Sequence, residues 1–147
     1  MKFQLWHAPL RLATGAFILN SGVNKWKSTD EEVHKRVHSM ASHAYPQFDA
    51  FDPTTFTKAL AAGEVALGAA LLTPFVSPAV AGTALTAFSG GLVGLYMRTP
   101  GLREYGSIRP TQSGTAIAKD VWMLGIGVAL VLDAITSKAR RIVPGMN

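Results

Sequence analysis

From Val65 to Met97 no residue carries a charge. Such a run is too long for one helix across a bilayer core of about 30 Å and about right for two. Pro74 and Pro78 interrupt it where a tight turn between two spans would stand. Charges gather instead in residues 25–58, in residues 98–120 and near the C-terminus. A helix that is apolar on every side is either buried or faces lipid. A chain of 147 residues offers few positions for a wholly buried helix, so the pattern predicts membrane spans near residues 8–26, 56–73, 78–97 and 117–135. Trp6 and Trp26 bracket the first, one at each interface of a helix about 30 Å long. The fourth carries Lys119-Asp120 near its start and Asp133 near its end. It spans only if those charges lie at the membrane edge or face protein.

The two long connections differ. In residues 27–55, Ser28 and Thr29 each stand three before a glutamate, Glu31 and Glu32, a doubled capping-box signal. Val33, Val37, Met40, Ala41 and Ala44 recur at helical spacing, and Glu31–Lys35 and Glu32–Arg36 are favourable pairs one turn apart. The pattern predicts an amphipathic helix over 29–44, lying on the membrane surface or capping the bundle. Residues 98–116, with Pro100-Gly101, Arg109-Pro110 and Ser113-Gly114, read as an irregular loop. The predicted fold is all-α: one membrane domain over residues 1–147, an integral four-helix bundle with an amphipathic helix in its first long loop. Lys2, Arg11 and the apolar Ala16–Leu19 could open a signal peptide, but no small-x-small cleavage site follows, and the segment is read as retained.

The chain has no cysteine, which excludes disulfides, thiol catalysis and thiolate metal sites within it. Its net charge is +5. No basic stripe alternates with stacking aromatics, so nucleic acid is not an expected partner. The cations stand at the ends of apolar segments, where lipid headgroups lie. Expected partners are therefore membrane lipids, with other membrane subunits or a second copy. Positive charge is about equally dense on both sides of a four-span arrangement and does not set its orientation.

Glu64 is the one carboxylate inside the second predicted span. A charge at that depth costs roughly 3 kcal/mol or more unless paired, and it marks a candidate site. Rise per residue puts Asn20 about 9 Å and Glu64 about 12 Å from the same membrane edge. Asn24, Lys25, Lys119 and Asp120 enter from that side, so all six are candidates for one buried polar cluster. A carboxylate in low dielectric beside an ammonium can fix helix packing, or can bind a carbonyl group and handle a proton. Ala61 and Gly68 flank Glu64 and permit close helix approach; on the first span Arg11, Gly15, Ile18, Gly22 and Lys25 share one face, with Asn20 and Asn24 on the opposite one. On the third span, Thr83, Ala87 and Gly91, with Gly90 and Gly94, form small-residue rows that predict close packing. His34 and His38, one turn apart, are weak metal candidates; no third ligand is fixed by spacing and no metal is expected. They are expected near water at the edge of the amphipathic helix. No complete catalytic constellation is present.

Leu10-Arg11 through Asn24-Lys25, Gly63-Glu64 before a Gly/Leu-rich run, and Lys119-Asp120 stand in the order and spacing of the DoxX-like family of four-helix membrane proteins, which the chain resembles over residues 8–135. The resemblance implies a multi-pass protein of the cell's inner (plasma) membrane with cytoplasmic termini. It also implies a link to redox or respiratory complexes, since the family is named for a subunit of a thiosulfate:quinone oxidoreductase. The expected function is an accessory, non-catalytic subunit of such a complex, with no cofactor of its own. The alternatives are a quinone- or quinol-binding oxidoreductase subunit centred on Glu64, and a small transporter or channel component.

Overall fold

A computed structural model describes residues 5–142, without the side chains of residues 140–142. The chain forms α1 (His7–Lys27), α2 (Glu31–Ala44), a 3-10 turn at Pro46–Phe48, α3 (Pro53–Leu72), α4 (Pro78–Arg98), the single turn α5 (Thr115–Ala118) and α6 (Val121–Ile142). Lys2 lies outside the described residues. The fold is all-α, and four of its helices, at 20 to 22 residues, rise about 30 Å. Among the described residues, three stretches are long and apolar enough to cross a membrane: Pro53–Leu72, Pro78–Arg98 and Thr115–Ala139. The first predicted span, now α1, is as long as these but more polar. It carries Arg11, Lys25 and Lys27; buried Arg11 and half-buried Lys25 face protein.

Proline sets two of the starts. Pro53 and Pro78 each occupy the first turn, where a missing N–H costs nothing. Asp52 and Ser77 cap those helices, accepting from the backbone N–H groups of Thr55 at 2.9 Å and Val80 at 3.3 Å. The helices therefore begin at the prolines, three residues before the predicted start in the case of α3. In α2 the cap is Asp30, which accepts from Glu32 N at 2.9 Å. The capping boxes read at Ser28 and Thr29 do not form: Asp30 supplies a stronger acceptor one residue later, and the helix starts at Glu31.

The uncharged run folds as two helices with a turn at Thr73–Ser77, but α3 and α4 are not each other's main partners. The closest packing is α3 against α1 and α6 against α4. A Cβ on Gly68 would lie 2.6–2.8 Å from the Leu19 backbone and side chain, and one on Gly22 would lie 2.8 Å from Val65 N. Across the other pair, a Cβ on Gly82 would meet Leu130 at 2.8 Å, and one on Gly127 would meet Thr86 N at 2.8 Å. The rows expected to pack on α4 are displaced: Thr83, Ala87 and Gly91 are exposed, and nothing lies near Gly90. Gly94 is used, beneath the Tyr45 hydroxyl. Between the pairs, Ile18, Leu67 and Leu71 meet Ala81, Leu85, Met123 and Leu130 in one apolar core.

Residues 99–114 are more ordered than an irregular loop. Arg103 and Pro110 form an antiparallel bridge, Gly101 and Gly106 take positive φ at its turns, and Tyr96 donates to Ile108 O at 2.7 Å. Buried Leu102 packs with Ala44, Leu95 and Tyr96 and fastens this segment and the end of α2 onto α4.

Candidate functional site

Glu64 is buried and its carboxylate is paired. Both oxygens accept from the Lys25 ammonium, at 3.0 and 2.9 Å, and Lys25 also donates to Ser21 Oγ at 2.6 Å. Helix geometry produces the pair. Gly22 lets α1 lie directly on α3 at Ala61 and Val65, so the Lys25 stem, one turn on, reaches Glu64. The site is at the end of the bundle where α1 stops and α6 starts. Asp120, immediately before α6, is buried and lies within electrostatic reach of Lys119, Glu64 and Lys25.

These four groups line a cavity of about 310 Å³. Its walls are mainly apolar: Phe17 and Ile18 from α1, Leu60 from α3, Phe88 and Leu92 from α4, and Met123 from α6. Val37, Met40 and Ala41 of α2 close one side, with exposed Arg36 at the margin. Phe17 is 47% exposed and Lys119 is exposed, its ammonium 5.7 Å from the Phe17 ring centre, so the cavity opens to the outside of the bundle between them. Ligand pockets range over about 300–1,000 Å³ and pair apolar walls with a few convergent polar groups. The volume here suits one ring-sized headgroup.

Of the six cluster candidates, Lys25, Glu64, Lys119 and Asp120 come together. Asn20 and Asn24 do not: both are exposed on the far face of α1. His34 and His38 are buried and not at a wet edge. His34 Nδ1 lies 3.1 Å from Thr54 Oγ1, and His38 Nε2 lies 2.9 Å from Phe48 O. The imidazoles fasten α2 to the start of α3 and to the 3-10 turn before it, and Val37, Met40 and Ala41 turn toward the cavity. No group of three metal-ligating side chains occurs among the described residues.

Three polar contacts were not legible beforehand. The Arg11 guanidinium, at the opposite end of α1, donates to four carbonyls that close α3 and its turn: Leu71 O at 2.8 Å, Ala70 O at 2.9 Å, Thr73 O at 2.8 Å and Val76 O at 3.1 Å. The sequence signal was its place on the Gly15–Ile18–Gly22 face. At the same end, buried His7 meets Asp133 with Nε2 and Oδ2 3.1 Å apart. Lys58 donates to Trp26 O and Ser28 O, closing the end of α1.

The sequence model of the DoxX family matches residues 7–96, more than half of the chain. The chain belongs to the DoxX family. The match covers Arg11, Lys25 and Glu64 and ends before Lys119 and Asp120. No curated protein and no solved structure matches the chain. As a DoxX-family protein with three helices apolar enough to span, it is a membrane protein.

Proposed function

We propose that this DoxX-family protein is an accessory subunit of a membrane redox assembly that holds a quinone or quinol headgroup in the Glu64 cavity. The observation that carries the reading is the cavity itself. An ion pair and two further charged groups converge on an apolar, phenyl-lined space that opens toward the bundle's outside. A quinone has a flat ring with two polar oxygens and an apolar tail, and these features match the polar end, the walls and the mouth. The chain has no thiol to relay electrons, so the redox centre is assigned to a partner. Small-residue faces on α3 (Ala59, Ala62, Gly63, Ala66) and α4 (Thr83, Ala87, Gly91) are exposed and available for such a partner. A transporter is less well supported, because Ile18, Leu67, Leu71, Leu85 and Leu130 separate the polar groups at the two ends. The assembly is assigned to the inner membrane, with cytoplasmic termini.

The test is purification in mild detergent, identification of co-purifying chains and extraction of bound lipids. The expected result is a redox subunit together with near-stoichiometric quinone that falls in Glu64→Gln. A lone chain without quinone would overturn the reading, and so would a lone chain that reduces quinone by itself.

A further inference from the structure

Asp120 is 9% exposed and lines the cavity. Among the described residues its carboxylate makes no hydrogen bond and no ion pair. Glu64 differs, since both its oxygens are taken by Lys25. The groups facing Asp120 are Lys119, Glu64 and Lys25. Lys25 is committed to Glu64 and Ser21, and Lys119 lies over the Phe17 ring. Buried carboxylates are ordinarily hydrogen-bonded, and an unpartnered one is costly. A ligand hydroxyl in the cavity would supply the missing donor.

The two redox forms of a quinone differ in this property. The oxidised ring presents two carbonyl acceptors and no donor, whereas the reduced ring presents two hydroxyl donors. A carbonyl placed against the ionised Asp120 carboxylate would set two acceptors face to face. We infer that the cavity selects the reduced, hydroxyl-bearing form of its ligand, with Asp120 accepting a hydrogen bond from a ring hydroxyl. This rests on the reading that a quinone-type ring occupies the cavity, and it adds which form is held: the quinol, bound and retained, with no electron transferred at this site.

The experiment titrates the full chain in lipid nanodiscs, without oxygen, with four probes: decylubiquinol, decylubiquinone, 4-nonylphenol and its methyl ether. A hydrogen bond to an ionised acceptor predicts that decylubiquinol binds about tenfold or more tighter than decylubiquinone, and the phenol about tenfold or more tighter than its ether. Asp120→Asn should bring both ratios toward one. The wild-type ratios decide the matter even where that variant does not fold. Equal affinity within both pairs, or tighter binding of the oxidised form, would overturn the inference and leave the headgroup reading standing. A preference for the phenol with neither quinone form bound would uphold the hydroxyl requirement and overturn the quinone assignment. Failure of all four probes to bind would overturn both.

Discussion

Lys25 and Glu64 are each tolerable inside the bundle only because of the other. The Glu64 side chain is 6% exposed and that of Lys25 is 23% exposed, so removing one partner strands the other in low dielectric. Breaking a buried pair from one side costs about 3–5 kcal/mol, and replacing both partners by apolar groups often costs little. Lys25→Met should therefore lower the unfolding temperature in detergent clearly, and Lys25→Met/Glu64→Leu should recover most of the loss. A double variant as unstable as the sum of the single ones would show that the two residues act separately. Arg11 gives a second test at this scale. Its planar fork reaches four carbonyls at once, which a single ammonium cannot reproduce. Arg11→Lys should lose about 2 kcal/mol or more, seen as faster proteolysis at the Thr73–Ser77 turn; wild-type resistance would contradict the clamp. Glu64 was legible because a lone charge in an apolar run stands out, and Lys25, Lys119 and Asp120 followed from counting rise along helices. Asn20 and Asn24 were drawn in by depth alone. Helical spacing already sets both on the face opposite Gly22, and there they are exposed. Arg11 was visible as a face and not as a clamp, because its acceptors are backbone groups that no side-chain pattern reveals.

At the scale of elements, glycine decides which helices pair. The apolar run with its prolines marked α3 and α4 as consecutive helices, but their partners depend on where backbones can approach. Gly22 and Gly68 bring α1 onto α3, and Gly82 and Gly127 bring α4 onto α6. Gly68→Ala should separate α1 from α3, because the new methyl meets the backbone of Leu19, which cannot yield by rotating a side chain. The expected loss is about 1–3 kcal/mol. Gly63→Ala, with nothing within 4 Å of the added carbon, should be neutral or slightly stabilising. Thermal unfolding of the two variants side by side checks this, and equal effects would contradict the pairing. The sequence also showed small rows on α4, but small residues mark every close approach, whether inside the chain or toward a partner. Helix α2 was legible from its charges and apolar spacing, although its cap is Asp30 and not Ser28 or Thr29. The burial of His34 and His38 was not, because they look polar in sequence and are buried through contacts to Thr54 and the Phe48 carbonyl.

For the whole molecule, the polar groups divide between two ends with an apolar core between them. Arg11, His7 and Asp133 hold one end, and the Lys25–Glu64 cavity occupies the other. If the termini are cytoplasmic, the Phe75 turn shares their side, and the exposed Tyr105 segment faces away. The absence of native cysteine makes this direct to check. In intact cells a membrane-impermeant maleimide should label Tyr105→Cys and spare Phe75→Cys until the membrane is opened; the reverse pattern would invert the molecule. The cavity assignment has one most direct measurement, photolabelling of the membrane-embedded protein with a short-chain azidoquinone, followed by mapping of the modified residues. Labels concentrated on Phe17, Phe88, Leu92 and Met123, and reduced in Glu64→Gln, are the predicted result. Labels spread over the outward positions Ala66, Val80 and Val128, unchanged by that substitution, would contradict it.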